Sequence, residues 1–598
     1  MISDMFFVEV TAYIQQTSTT SFAIGTGSKT FTLASAIKFI QGMTVLIDGG
    51  SGNTMTGVVT SDNGRTTSVT VNVTSVAGSG TIASWVIGGE NVFYFADNGG
   101  FNGKPTDTPA NVFFSPYLDN PGEFSQYIFQ NGTTFGMSQV GYGNTSLNNS
   151  DEKLDYLLDY GYDGRSIVKR RGQHDLTYPG GMTTIFTGTM AGIVDSGNYL
   201  YLLTRDKQGL VSSLPIQTTK FAGTNNLVDT GVPNVEGVPG DLQGKPKPIW
   251  LGANKGVSPP LVNTSKQTYQ LSTLPMISTG FIVYDKGIVQ TLHTTETTLM
   301  GLQNATIPAS KYSVYFGNNG EGTFIRTGTS LNEGVITIEG HWDVDANQTA
   351  AYIADYILAN YGGISGGFTS ASVSALDTKN SSVVGFWTDT TEYKIGEVID
   401  YILQSVGGYW AITNDGDFTL GRLEAPAVSA DHTINDYLLI GGKDKITRLS
   451  SNDAGGGLPA KRCLLNWGKN YTILNATDVA GSALTVLEFY TREYRTVYST
   501  INTSTLTKHP LAQEIEFTTQ FNAVANAQTE VDRLGVLYKN EYFNVEISVQ
   551  SVYSKNMQLG QTIALEDVRT FYARNYLLTG ISNDYKTDFS KLQLLAIG

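Results

Sequence analysis

The sequence predicts a β-rich α+β protein of several domains: mainly β, with a few packed helices, tail-tube-like barrel or sandwich domains and an N-terminal all-β module. Three observations carry the β-rich, multidomain part of this. The chain has 598 residues, 40% of them apolar, more than one hydrophobic core organises, so roughly three to five domains are expected. Charged residues make up only 15%. Thr, Ser, Asn and Gly abound beside 32 Tyr and 27 Phe, a mixture that favours half-buried pleated surfaces over exposed helices.

Residues 18 to 88 read as a small all-β module. Apolar and polar residues alternate through Phe31-Thr32-Leu33, Thr44-Val45-Leu46-Ile47 and Ser68-Val69-Thr70-Val71-Asn72-Val73, the period of a strand with one buried face. Stretches 55–61 and 78–85 complete an antiparallel sandwich or barrel. From Glu90 the texture changes: Phe93-Tyr94-Phe95 is a further strand, and Thr106 to Phe114 is expected to be extended, entered through a turn at Pro109. Asp151 to Arg165 holds one short helical turn before a Gly-bounded turn. The run Lys245-Pro246-Lys247-Pro248-Ile249-Trp250-Leu251-Gly252 reads as a connector, because alternate prolines impose polyproline-like backbone and forbid a central strand.

Three helices stand out. The clearest runs from about Ile395 to Val406, with Ile395, Val398, Ile399, Ile402, Leu403 and Val406 on one face. It stops at Gly407-Gly408 and leads into a hairpin, Tyr409 to Ile412 and Phe418 to Leu423, turned at Asn414-Asp415-Gly416-Asp417. A second, Thr349 to Tyr361, aligns Ala350, Ile353, Ile357, Leu358 and Tyr361, with Asp345 or Asn347 as its expected cap. A third, Ala523 to Lys539, aligns Val524, Ala527, Val531, Leu534 and Tyr538. A strict period-two strand follows at 543–550, 559–565 turns into a further strand, and the last strands are 576–582 and 591–597. These patterns divide the chain into 1–89 (N-terminal strand and accessory module, core 18–88), 90–330 (β-rich), 331–430 (helix and hairpin) and 431–598 (β-rich with one long helix).

The formal charge is −15, and the longest basic run is Lys169-Arg170-Arg171, so no stripe neutralises phosphates. Acidic walls would instead let DNA pass without adhering. One cysteine, Cys463, builds neither an internal disulfide nor a multi-thiolate metal site, and reads as a small buried apolar residue. The start, Met1 to Phe7, lacks the basic and apolar regions of a secretory signal, and no apolar stretch approaches the ~20 residues that span a bilayer. Synthesis and folding in the bacterial cytoplasm are expected.

The helix opened by Ile395-Gly396-Glu397-Val398-Ile399-Asp400, its hairpin with an Asp-Gly turn, the later Ala/Glu/Arg-bearing helix, Leu559-Gly560-Gln561-Thr562 and Leu578-Thr579-Gly580-Ile581 come in an order that resembles the central hub proteins of phage tails, related to the hubs of T-even phages and gene transfer agents. Thr106-Asp107-Thr108-Pro109-Ala110-Asn111, Asp159 to Arg165 and Gly244 to Pro248 resemble hubs of prophages of long-tailed phages. The resemblance spans roughly 90 to 598. The 18–88 module departs from it as an insertion or addition, and is similar to modules of phage tail proteins and fibres.

The resemblance implies a structural, non-enzymatic homotrimer in the virion at the tail tip. Its tube-like domains form a pseudo-sixfold ring that joins the tail tube to the distal tip, closes the channel and opens for DNA ejection. Implied partners are the distal tail protein or tail tube ring, the tape measure protein and tip or fibre proteins. On the alternative adhesin reading, a host surface glycan would be a further partner, bound by the N-terminal module. DNA passes without specific binding. Closed symmetry also pairs strand edges between subunits.

No catalytic, cofactor-binding or metal-ligating residue is expected. His341-Trp342-Asp343-Val344-Asp345 alternates possible ligands on one face, but a strand end before a capped helix is the favoured account. Asp151, Asp155, Asp159 and Asp163 recur every four residues without the terminal bidentate Glu of a calcium loop. Asn414 to Asp417 is a hairpin turn. The five histidines, His174, His293, His341, His432 and His509, are scattered. No nucleophile elbow, His-Glu-x-x-His helix or phosphate loop occurs. Trp85, Tyr94 and Trp250 are the aromatics to consider for sugar stacking, against a core role. Two other functions stay open: a carbohydrate-binding tail adhesin, and a cell-wall or capsule hydrolase with paired carboxylates.

Overall fold

The computed structural model describes residues 4–61, 63–97, 99–225, 234–317, 320–328, 335–453, 455–481, 483 and 487–598. Of the Met1 to Phe7 start, the first three residues lie outside these. The protein is mainly β, with 42% strand and 16% helix, and has several sheets in a multidomain arrangement.

The opening strand, Met5–Ser18, and strand Trp85–Ala96 pair over twelve consecutive positions, from Phe7↔Ala96 to Ser18↔Trp85. The far end of this ribbon closes a barrel. Trp85–Ala96 pairs with Thr44–Asp48, which pairs with Thr54–Val59, then Thr66–Ala77, then Gly27–Ile37, and Leu33 returns to Ser18. The alternation in the sequence fills it: Phe31, Val45, Ile47, Met55, Val71 and Ile87 are wholly buried, each worth roughly 1.5–3 kcal/mol of burial. Trp85 caps the core and donates its indole N–H to the Thr20 carbonyl at 2.9 Å. The 89/90 limit falls inside strand Trp85–Ala96.

The near end of the ribbon belongs to a long sheet. Met5 to Val10 pairs with Ser166–Gly172, followed by Thr183–Asp195, Tyr199–Arg205, Tyr142–Asn148 and Glu123–Tyr127. The sheet continues through Asn575–Asp584, Phe589–Ala596, Phe543–Gln550 and Thr447–Ser450. Between these halves of the chain lie two five-stranded sheets, one with Ile249–Val257 and Ile336–His341 inside it, the other with Thr268–Ser272 and Thr323–Thr327. Trp250, Leu271, Val283, Ile325 and Ile338 share their core with the helices.

The helix Ile395–Gln404 buries every apolar residue of its expected face. Glu397 accepts the Lys394 backbone N–H at 3.0 Å, and Gly407 ends the helix at φ +67°. The hairpin Gly408–Ile412 and Phe418–Arg422 follows, with Trp410 stacked on Phe418. A three-stranded sheet, Arg462–Trp467 between antiparallel Arg495–Tyr498 and parallel Glu514–Thr518, rests on helix Val524–Leu537.

Four expectations are corrected and one helix is added. The connector ends at Pro248: from Ile249 the backbone N–H groups return, and Ile249–Gly252 opens strand Ile249–Val257, paired with Gly385–Thr388. Residues 105–112 are mostly turns rather than extended, held by Asp107, whose carboxylate accepts the backbone N–H of Lys104 and Tyr178. Thr349 caps helix Ala350–Asn360, its Oγ1 accepting the Tyr352 N–H at 3.2 Å, whereas Asp345–Asn347 form a separate turn. Val524 is exposed, and Leu537 joins the buried face of its helix. A helix at Ser370–Lys379 has a single buried apolar side chain, Leu376, too weak a pattern to read.

Candidate assembly seam and the sequence-predicted ligand positions

The two halves of the chain meet strand to strand. Glu123–Tyr127 runs antiparallel to residues 580–584, from Glu123↔Asp584 to Tyr127↔Gly580, and the Ile128 N–H extends the seam to the Thr579 carbonyl at 2.9 Å. The Ser125 and Ser582 hydroxyls lie 2.6 Å apart across it. Gly580 is required because a Cβ there would sit 2.3 Å from the Tyr127 ring. Polar ties flank the seam: Arg171 to Asp588 at 2.7 Å, Lys586 to Asp119 at 3.4 Å, and the Tyr585 hydroxyl to the Ile185 carbonyl at 3.2 Å.

Lys169 shapes the approach to the seam. Fully buried, it donates to the carbonyls of Pro121 (3.0 Å) and Asn144 (3.1 Å), and so fixes the turn before Glu123–Tyr127. Burial pushes its ammonium down to about 7. At the end of the long sheet, all four residues of Thr447–Ser450 are exposed. Beyond its pairing with Phe543–Gln550, this edge has no strand partner among the described residues.

The structure disperses the residues that the sequence offered as ligands. His341 Nδ1 lies 3.2 Å from the Gln348 amide and 3.8 Å from Asp345, while Asp343 turns to Asn347. Asp151 pairs with Lys153, Asp155 accepts from Asn149, Asp159 pairs with Arg65 of the barrel, and Asp163 pairs with Arg205. Asn414 to Asp417 is the expected hairpin turn, with the Gly416 N–H on the Thr413 carbonyl. Among the described residues no group of three or more His, Cys, Asp or Glu converges as a metal site. No helix among them is long and apolar enough to cross a membrane. Trp85 and Trp250 are wholly buried and serve packing, whereas Tyr94 is half-buried and packs edge-on against Phe114.

Cys463 is wholly buried, which pushes its thiol up to about 12. The native chain should therefore stay unlabelled by a disulfide reagent at pH 8 and yield one equivalent once denatured. Rapid labelling of the folded chain would contradict this placement.

The buried charges had no sequence signal. Asp206, Asp400 and Asp453 are 2%, 6% and 7% exposed, and Glu530 joins Arg422 and Arg533 under the hairpin. Each lies in a stretch whose local pattern allows an exposed carboxylate, and only tertiary packing buries it.

No family profile and no curated protein matches the sequence. Among solved structures, the chain is similar to a tail protein from Neisseria meningitidis MC58 (8% identity, 81% of this chain and 93% of that one, TM-score 0.31). It is also similar to the 43 kDa tail protein of prophage MuSo2 from Shewanella oneidensis (7%, 82% and 98%, 0.36). A third is prophage tail protein gp18 from Listeria monocytogenes EGD-e (6%, 82% and 93%, 0.35). Likeness at this level leaves function to be argued from geometry.

Proposed function

We propose that the chain is a structural hub of a phage tail tip, a homotrimer that joins the tail tube to the distal tip and opens for DNA ejection. The observation that carries this reading is the seam: one chain presents two sheet-bearing halves joined laterally through Glu123–Tyr127 and residues 580–584. Three copies would then supply six such halves, the number needed to match a hexameric tube. The exposed edge at Thr447–Ser450 supplies a strand edge for the joint between copies.

The net charge of −15 suits a lumen that repels the DNA backbone and keeps it from adhering. The tail tube ring, the distal tail protein, the tape measure protein and tip or fibre proteins are the partners proposed on this reading. Imaging of the particle tests it. Threefold density on the tail axis is expected, with an acidic channel wall. A position off the axis, or six copies per tip, would sink the hub assignment.

A further inference from the structure

The segment from Phe129 to Gly141 joins strand Glu123–Tyr127 to strand Tyr142–Asn148 and crosses from the first half of the chain to the last. It is tied at its base by a bridge between Phe129 and Ser138 and by the Gln130 N–H on the Met137 carbonyl at 3.1 Å. Three carboxylates from distant parts of the chain hold its backbone. Asp453 accepts the Thr134 N–H at 2.9 Å and also the Thr134 hydroxyl, which lies 2.9 Å from the Tyr538 hydroxyl. Asp400 accepts the Ser138 N–H at 3.3 Å and the Trp410 indole N–H at 3.0 Å. Asp206 accepts the Gly141 N–H at 2.6 Å and the Gly209 N–H at 3.3 Å.

Beneath the segment lies a cavity of about 300 Å³. Phe129, Phe135, Leu423, Phe517 and Leu534 give it a mainly apolar lining, with Gln404, Glu516 and Arg533 at polar points of the wall. Gly132 and Gly136 take positive φ, +67° and +121°, and a Cβ at Gly136 would meet nothing within 4 Å. The segment therefore has glycine joints, a small set of discrete anchors and a mainly apolar space behind it.

We propose that residues 129–141 are a strap, pinned shut by Asp206, Asp400 and Asp453, whose release uncovers the cavity and is governed by proton loss at Asp206 and Asp400. This is independent of the hub reading. Burial pushes both Asp206 and Asp400 up to about 7, opposed by their hydrogen bonds. The nearby charges are engaged elsewhere. Arg205 pairs with Asp163, Lys207 lies against Gly416, and Glu397 accepts the Lys394 N–H. The carboxylic acids are thus the low-cost buried form. A carboxylate set free into water returns to about 4, so opening releases protons. The strap is tightest at acid pH, loosens as pH rises from about 4 to 7, and is independent of pH above that.

Hydrogen exchange on the full chain, corrected for intrinsic rates, tests the strap between pH 5 and 7. The opening constant of the 129–141 amides should rise about tenfold per pH unit for each carboxylate released, relative to amides of strands Tyr142–Asn148 and Phe543–Gln550. Emission of an apolar dye, 1-anilinonaphthalene-8-sulfonate, should rise over the same window. The double variant Asp206→Asn, Asp400→Asn keeps the acceptor oxygens, and its strap should lose the pH dependence. Wild-type strap amides that follow the two reference strands would overturn the proposal, as would a double variant as steep as wild type. Dye emission unchanged with pH would remove the cavity from it.

Discussion

Glu530→Ala should destabilise the chain by about 3–5 kcal/mol, the usual cost of leaving a buried charge unpaired. The glutamate is 2% exposed and binds Arg422 at 2.5 Å and Arg533 at 2.6 Å. Glu424, 3.3 Å and 3.5 Å from the same two arginines, completes a neutral set of four. Arg422 also donates to the Val406 carbonyl at 2.7 Å and the Lys379 carbonyl at 3.1 Å, so it satisfies the ends of two helices at once. Without Glu530 the guanidinium keeps its helix-end bonds but loses its principal counter-charge. Urea titration measures the loss. A change below about 1 kcal/mol would mean that the group is as weak as an exposed pair.

The second large effect belongs to the seam. Ser582 faces Ser125 in the middle of the joint, and it also pairs with Lys591 on its other side. Ser582→Pro removes a backbone donor and imposes a ring on a strand with neighbours at both edges, a cost of about 3 kcal/mol or more. Calorimetry should show the wild-type transition split, because the first sheet and the C-terminal sheet no longer unfold together. Association of the chain with itself should fall in parallel, as seen by sedimentation. Unchanged melting and assembly would mean that the flanking ties, Arg171 to Asp588 and Lys586 to Asp119, hold the halves without the strands.

The local patterns were legible wherever one face of an element is buried. Period two marked the barrel strands and Phe543–Gln550, and the 3.6-residue period marked Ile395–Gln404, because those side chains report their own burial. The edges of such patterns were less faithful. Val524 continues the apolar spacing of its helix yet lies at the first turn, beyond the surface it packs on. Pro246 and Pro248 mark an interruption, but the strand begins at the next residue, where the missing donors end.

The seam was not legible, since Glu123–Tyr127 and residues 580–584 are joined by backbone groups that every residue carries. Nor were the pinning carboxylates. Asp400 follows an apolar face in a way that suits a solvated flank, and Trp410 and the Ser138 backbone enclose it only in the folded chain. The candidate ligands failed for the converse reason: regular spacing of Asp151 to Asp163 is a property of the chain, whereas convergence on one point is a property of the fold.

The twelve-pair ribbon formed by Met5–Ser18 and Trp85–Ala96 has a modular consequence. Its two strands leave the long sheet side by side, about 5 Å apart, and everything between Ser18 and Trp85 is threaded on that single stalk. A foreign domain whose termini are neighbours on adjacent strands would meet the same two strand ends, Ser18 and Trp85. An exchange of the barrel would give up its ties to the body, Arg65 to Asp159 at 3.0 Å and the Tyr160 hydroxyl to the Lys38 carbonyl at 2.8 Å, while the ribbon itself could stay.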